Sequence, residues 1–362
     1  MIQTCCRCIL DSQFPQISFN DDGVCSYCLA YEKRDKKFAI NEKNTQKLMN
    51  LVKRIKEWGR DKEYDCIIGV SGGRDSTYCL YLLKQWGLHP LAIHFDNNMD
   101  SKIAAQNIKN ACTILDIDLH TFVVDWEEYK DLQVAFLRAS VPSVDVPMDH
   151  AFQSILYRYC WENEFKYIFN GETFRGEGPI PKQWTCNDLP FFLDIHKKFG
   201  KKPLKNYPVR KRFDLLKYRL KGIVQIKPLN YVHFTYDQIM PLLEKELKWS
   251  YYGGHHFECI FTRWAFAYYL PVKFGIDKRV ADYSVLIRSG QMTREQAVKK
   301  MQESIYPPGQ EREDRRYIMS KLELNDSDME EILNSPPKRN SEYAHHSTYF
   351  RILNTLLSPR QI

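Results

Sequence analysis

Between Cys66 and Phe169 the chain alternates short apolar runs with longer stretches of helical periodicity. CIIGV (66–70), PLAIHF (90–95), DLHTFVV (118–124) and YIF (167–169) are rich in β-branched and aromatic residues and predict strands. Asp75 to Trp86, residues 101–115 and 126–138, and Met148 to Glu164 predict the intervening helices, with Gly87 a stop signal after the first. Strands alternating with helices of this length imply an α/β fold, a parallel sheet covered on both faces. Ligands on such sheets bind at the carboxyl ends of the strands, near the topological switch point. The loops after Val70 and Phe169 both fall at such ends.

The flanks follow other patterns. Leu48, Leu51, Val52, Ile55 and Trp58 lie on one helix face and predict a linker helix within 41–64. Beyond Gly176 the chain is rich in Pro, aromatic residues and Lys, then mainly helical from about residue 235, with Thr293 and Gln296 in capping-box spacing. The expected organisation is a cysteine-rich module (1–40), the linker helix (41–64), a sheet domain (65–185) and a basic, helical region (186–362).

A chain that is 44% hydrophobic and 27% charged has an ordinary globular composition. No stretch approaches the roughly 18 apolar residues of a membrane helix, and MIQTCCRCIL lacks the features of a signal peptide. The expectation is a cytoplasmic protein with no membrane insertion. Its net charge of +7 is unevenly spread: Ile195 to Lys227 holds twelve Lys or Arg against one acid, Asp214. Such a stripe suits nucleic acid, a nucleotide-sugar diphosphate, an acidic partner or plain solvent.

Eleven cysteines without an export signal favour metal or thiol chemistry over disulfides. Cys5-x2-Cys8 and Cys25-x2-Cys28 form two knuckles sixteen residues apart, with FPQISFNDDG suited to a hairpin between them. Four thiolates around tetrahedral Zn2+ leave no open position, so the site would be structural, a zinc ribbon. A module of about thirty residues has too little core to fold without such support. A redox CxxC would require a thioredoxin-like context that the neighbouring sequence does not show. The remaining cysteines, Cys6 among them, are scattered and read mainly as buried thiols.

Ser71-Gly72-Gly73-Arg74-Asp75-Ser76 follows a strand and opens a helix. Glycines let backbone N–H groups approach an anion, the helix N-terminus adds a favourable dipole, and the two serines offer hydroxyl donors. The Lys and Ser/Thr with which a Walker loop tends the β and γ phosphates are absent. SGGRDS resembles S-G-G-x-D-S, the pyrophosphate-binding loop of the PP-loop ATPases, which adenylate a substrate and release pyrophosphate. AIHFDNNMDS, VDVPMDHAFQSILY, YIFNGE, YYGGHHFECIFTR, VLIRSGQMTREQA and the leading TCCRC…GVCSYC are similar to stretches of the N-acetyl sugar amidotransferase family. Cys6 and His255 stand where lysines are expected in that family.

The resemblance implies a Rossmann-like PP-loop sheet, similar to adenine nucleotide hydrolases, with an N-terminal zinc ribbon. It implies an ATP-dependent enzyme that converts an acetamido sugar to an acetamidino sugar in bacterial surface-polysaccharide (O-antigen) biosynthesis, using Mg2+. Ser71, Gly72, Gly73 and Ser76 would cradle the pyrophosphate, and Asp75 would hold Mg2+ or simply cap the helix. His94 to Asp96 would meet adenosine, with Asp96 near the ribose. Gly171 and Glu172 would face the α phosphate or a second metal contact. Asp149 and His150, with Asp145 nearby, precede a helix and suit either capping or the substrate site. His256, Glu258 and Arg263, with His255, would line the sugar or its diphosphate; as a metal set the spacing of His255, His256 and Glu258 matches no helix face and no familiar zinc signature. Tyr251 and Tyr252 suit sugar stacking or core. The chain carries no G-x-C-x-G elbow, and residue 2 is Ile rather than a nucleophilic Cys. The family therefore implies a separate glutaminase subunit with an ammonia-conducting, cyclase-like partner. Nucleic acid is an unlikely partner, although a tRNA-thiolating enzyme also combines cysteine knuckles with a PP-loop. Solitary Cys112, Cys160, Cys186 and Cys259 weigh against that reading. A nucleotide-gated scaffold without chemistry is the remaining rival.

Overall fold

The four expected strands form as β1 (Cys66–Val70), β2 (Pro90–Asp96), β3 (Leu119–Val123) and β4 (Tyr167–Phe169) in a computed structural model that describes residues 2–178 and 180–362. Two further strands, β5 (Val224–Ile226) and β6 (Arg360–Gln361), extend the sheet to the order β3-β2-β1-β4-β5-β6, parallel throughout. The sheet thus draws strands from beyond residue 185, within the region expected to be basic and helical. Both added strands are very short and sit toward one edge, so neither leaves an alternating pattern long enough to read.

Around the sheet run α1 (Ser26–Lys37), α2 (Glu42–Gly59), α3 (Arg74–Gln85), α4 (Lys102–Leu115), α5 (Trp126–Arg138) and α6 (Val146–Glu162). They are followed by α7 (Leu189–Phe199), α8 (Arg212–Leu220), α9 (Tyr236–Leu247), α10 (Ile260–Trp264), α11 (Leu270–Phe274), α12 (Arg279–Arg288), α13 (Arg294–Met301), α14 (Gln310–Leu322), α15 (Asp326–Asn334) and α16 (Thr348–Leu357). A π turn over Ala265–Tyr269 joins α10 to α11. Thr293 and Gln296 form the expected capping box at the start of α13. Among the described residues no helix is long and apolar enough to cross a membrane.

Every residue of β1 is buried because helices cover both faces. Ile68 and Val70 pack with Leu80 and Leu83 of α3, Ile108 of α4, and Ile239 and Leu243 of α9. Ile67 points the other way, to Phe136 of α5, Leu156 of α6 and Phe191 of α7. The helix that joins the cysteine module to β1 also packs against the sheet. Leu51, Val52 and Ile55 of α2 belong to the first of these cores, since an amphipathic stripe must be covered. A third core joins Leu10, Phe14 and Val24 of the cysteine module to Phe261, Trp264 and Ile318 of the C-terminal helices.

The chain builds β1, β2 and β3 outward, then crosses to β4 on the other side of β1. That reversal opens a crevice at the carboxyl ends of β1 and β4. The 99–101 segment hydrogen-bonds to 258–260 through Ser101 N to Glu258 O (2.7 Å) and Ile260 N to Met99 O (2.8 Å). The C-terminal region is thereby tied across the mouth of the crevice.

Candidate functional site

A cleft of about 700 Å3 opens at this switch point. Its floor is the loop between β1 and α3. Gly72 has φ +75°, and a Cβ there would lie 2.3 Å from the Ala104 carbonyl oxygen, so only glycine fits. The Gly72 carbonyl accepts from Trp249 Nε1 (3.0 Å) and Asn107 Nδ2 (3.2 Å), which turns it away from the cleft. Gly72 therefore shapes the turn, while Ser71, Gly73, Asp75 and Ser76 line the cleft. Ser71 and Ser76 place their Oγ atoms 3.3 Å apart, and Gly73 N–H donates to Ser71 Oγ at 3.3 Å. Gly171, just past β4, abuts the α3 N-terminus so closely that a Cβ would lie 2.7 Å from Ser76 N. Loop amides, two hydroxyls and a helix N-terminus thus gather at the floor of the cleft, an arrangement suited to an anion.

Asp75 lies in the first turn of α3 and lines the cleft. Its Oδ2 accepts from Tyr236 Oη at 3.4 Å, whereas Oδ1 is buried without a hydrogen-bond partner among the described residues. Burial raises its carboxyl above the ordinary range, opposed by Arg74. Arg74 does not replace the missing Walker lysine, because its guanidinium sits 3.4 Å over the Tyr236 ring. Glu258 reaches Gly73 from the C-terminal region, and burial raises its carboxyl too. Glu177 is pushed well above its usual range by burial and by Glu172, Asp75 and Asp282. This wall is short of positive charge, and the orphaned Asp75 oxygen fits a divalent cation among phosphates.

The opposite wall is built by the first turns of α6. Asp145, Asp149, Phe152 and Gln153 share the helix face toward the cleft. Asp149 is open to the cleft, and desolvation by the surrounding walls, followed by Asp145, raises its carboxyl. Thr262 donates to Asp145 at 2.9 Å. Lys278, its charge disfavoured by burial, is balanced by Asp282, Asp145 and Asp149. Glu172 enters the cleft paired with Lys227.

Three predicted residues are placed elsewhere. Arg263 makes a two-pronged ion pair with the buried Asp314, both contacts 2.6 Å, and does not line the cleft. A guanidinium so matched to a carboxylate is engaged in joining α10 to α14. His150 faces inward from α6, stacked on Phe192 and within 3.1 Å of Asn187 Oδ1. Asp96 caps Asn98 N–H at 2.7 Å and opens onto an adjoining recess of about 370 Å3. His94 stands between the two cavities, its Nε2 2.9 Å from Asp100 and its Nδ1 3.1 Å from the Val70 carbonyl. Burial opposes charge on His94, but Asp100 holds the ring above its ordinary value.

The placement of His150 has a measurable consequence. Its Nε2 accepts the Arg210 N–H at 3.2 Å, so the ring is neutral, and burial lowers its pKa to about 4. The unfolded chain therefore takes up this proton first, and the histidine's contribution to stability is lost as pH falls from the unperturbed value toward 4. His150→Gln is expected to flatten the acid limb: urea midpoints at pH 7.5 and pH 5 should differ less than in the parent protein. An equal drop in both proteins would assign the acid sensitivity elsewhere.

Sequence reasoning missed Arg210 and Lys227, which line the cleft from within the basic stripe. Their signal was swamped by ten neighbours of like charge. Several of those are matched at the surface, Lys202 by Glu127 of α5, Lys198 by Asp194 and Lys221 by Glu164. Asp100, Glu177 and Lys278 also line the cleft without any motif to announce them.

The cysteine module closes into a compact quartet. Cys5 and Cys28 Sγ are 3.9 Å apart, Cys8 and Cys25 Sγ are 3.8 Å apart, and all four lie within 4.8 Å of one another. Those separations are the edges of a sulfur tetrahedron about a metal at about 2.3 Å. The sulfurs receive hydrogen bonds from Arg7 and Cys25 N–H groups and from the Arg288 guanidinium. All eleven cysteines are free of disulfides. The donor set is that of a metal site.

Comparison with known proteins adds the following. An uncharacterized protein of Methanocaldococcus jannaschii is 24% identical over 312 residues, covering 84% of this chain and 94% of its own. The tRNA-specific 2-thiouridylase MnmA of Pediococcus pentosaceus is 26% identical over 136 residues, 37% of this chain and 29% of that protein. Among solved structures, the U34-tRNA thiolase NcsA of Methanococcus maripaludis, with its 4Fe–4S cluster, covers 90% of both chains at 16% identity and a TM-score of 0.31. The NH3-dependent NAD synthetase of Campylobacter jejuni covers 57% of this chain and 93% of its own at 14% identity and a TM-score of 0.30. The family described as LPS biosynthesis protein WbpG-like, C-terminal domain, matches residues 258–357. The chain thus joins a parallel sheet carrying the SGGRDS loop to a C-terminal region that is similar to the WbpG-like proteins of lipopolysaccharide biosynthesis.

Proposed function

We propose that this chain is an ATP-dependent amidotransferase that adenylates the acetamido group of a nucleotide-linked sugar and replaces its oxygen with nitrogen from ammonia. AMP and pyrophosphate would leave, and the acetamidino sugar would enter bacterial surface polysaccharide. The observation that carries this reading is the cleft itself. A PP-loop forms its floor, and its wall includes Glu258, Cys259 and Thr262 from the region that matches the lipopolysaccharide-biosynthesis family. A cleft of about 700 Å3 can hold a nucleotide beside a sugar.

In this reading Ser71, Ser76 and the loop amides hold the β and γ phosphates as one leaving group. The acetamido oxygen attacks the α phosphorus, and pyrophosphate departs. Ammonia then adds to the activated carbon, and AMP leaves with the original oxygen. Asp75, with its free oxygen, would hold Mg2+, which supplies charge neutralisation at the phosphates. Arg210 and Lys227 suit the diphosphate of the sugar carrier. Asp145 and Asp149 line the wall as carboxyls able to take a proton from the incoming nitrogen. The cysteine quartet would hold a closed, structural Zn2+. Ammonia would come from a glutaminase subunit through an ammonia-conducting, cyclase-like partner.

Thiolation of tRNA is the second reading, favoured by the local similarity to MnmA. Against it, the cleft thiol is Cys259, which burial raises to about 12, and it has no second cysteine beside it in the lining. A thiol so protonated is a poor sulfur carrier. The deciding assay incubates the protein with ATP, Mg2+, ammonium and a panel of acetamido nucleotide sugars. The expected outcome is AMP with a product one mass unit lighter, oxygen having been exchanged for NH. ADP with inorganic phosphate would overturn the mechanism, and co-purified tRNA that becomes thiolated would transfer the assignment to the second reading.

A further inference from the structure

Glu177, His255 and His256 meet on the carboxyl-rich wall of the cleft. Each offers one ligand atom, and the three atoms lie within 4.8 Å of one another. The two histidines are neighbours in sequence, which on a helix would point them apart. Here residues 255–258 form a turn, entered through Gly253 at φ +101° and with His256 itself held at φ 61°. The imidazoles converge, their centroids 3.9 Å apart. A left-handed backbone at a non-glycine residue is uncommon and persists where the surroundings demand it.

The chemistry of this cluster is incomplete without a further atom. Both ring nitrogens of His255 are buried, and neither has a hydrogen-bond partner among the described residues. Its Nδ1 lies 3.2 Å from Asp282 Oδ2, near but out of hydrogen-bonding alignment. A carboxylate behind an imidazole is the arrangement that orients metal-bound histidines. Buried polar atoms are nearly always satisfied, so an imidazole whose Nε2 has no partner among the described residues, with only Asp282 beside Nδ1, points to something bound. The fixed cations nearby are Arg74, Lys278 and Lys227, the last paired with Glu172, and they face the carboxyls of Asp75, Glu177, Glu258 and Asp282. The surroundings can therefore absorb additional positive charge.

We propose that Glu177, His255 and His256 form a second metal centre, distinct from the cysteine quartet, for a divalent ion of borderline softness such as Zn2+. Two imidazoles and one carboxylate are a donor set for such an ion rather than for Mg2+. Three protein ligands leave a position open, which an oxygen of water or of a substrate can fill, and all three residues line the cleft. The centre does not depend on the reaction proposed above.

The test is metal stoichiometry on the full chain. Protein dialysed to equilibrium against a zinc buffer is expected to hold two ions per chain by atomic emission. Glu177→Gln and the double variant His255→Asn/His256→Asn should each fall to one, and Cys28→Ser should lose the other. Loading with Co2+ separates the sites by a second readout. The quartet gives intense sulfur-to-cobalt charge-transfer bands, and the His/Glu centre adds only weak ligand-field bands that disappear in the double variant. A single ion in the parent protein, or two ions retained in the double variant, overturns the proposal.

Discussion

Gly72→Ala is expected to lower ATP-dependent pyrophosphate release by about 100-fold or more, the penalty of misplacing reacting groups by about an ångström. Two effects combine. A Cβ at φ +75° is intrinsically strained, and it would lie 2.3 Å from a backbone oxygen of α4 that cannot swing aside. The loop or the α4 N-terminus must shift, and the amides lose their common focus. Gly73→Ala provides the contrast. There the added methyl meets Glu258 Oε1 at 2.0 Å, the far end of a side chain that can rotate away. Steady-state assays on both variants, with circular dichroism to confirm folding, check the expectation. A Gly72→Ala enzyme with nearly parental activity would show that this turn is not the anion cradle.

Loss of the metal from the cysteine quartet is expected to unfold the N-terminal module. Metal binding to isolated cysteine modules contributes about 10–16 kcal/mol of apparent folding free energy. Here part of the module is also held by Phe14 and Leu10 in the third core. Cys28→Ser should therefore lower the melting temperature by about 10 °C, as a loss of several kcal/mol implies. Amide hydrogen exchange should localise the lost protection to the knuckles and to the start of α1. Because that core also holds Phe261 and Trp264 next to the cleft wall, exchange should spread into α10. Unchanged protection over residues 4–28 would mean that the module folds without metal.

The Arg263 and His150 placements show where reading by motif stops. Both lie in stretches that resemble the sugar amidotransferase family, and both side chains are chemically suited to a site. Helix phase decided otherwise. Asp145, just before α6, and Asp149 on it lie on the cleft face, whereas His150 is rotated by about 100° from Asp149 and packs on Phe192 of the core. Arg263 found Asp314, a partner fifty-one residues later that no local pattern could reveal.

Local sequence determined the strands β1 to β4, the helices between them, the phosphate-loop turn and the metal-binding quartet. Each depends on periodicity or on spacing within a few dozen residues, and backbone sterics and ligand geometry act at that range. Tertiary structure alone decided that β5 and β6 join the sheet and that Arg210 and Lys227 leave a basic surface for the cleft. It also brought Glu177 to a pair of histidines. Those outcomes depend on which distant segments share a core, and burial is a property of the whole chain rather than of any stretch of it.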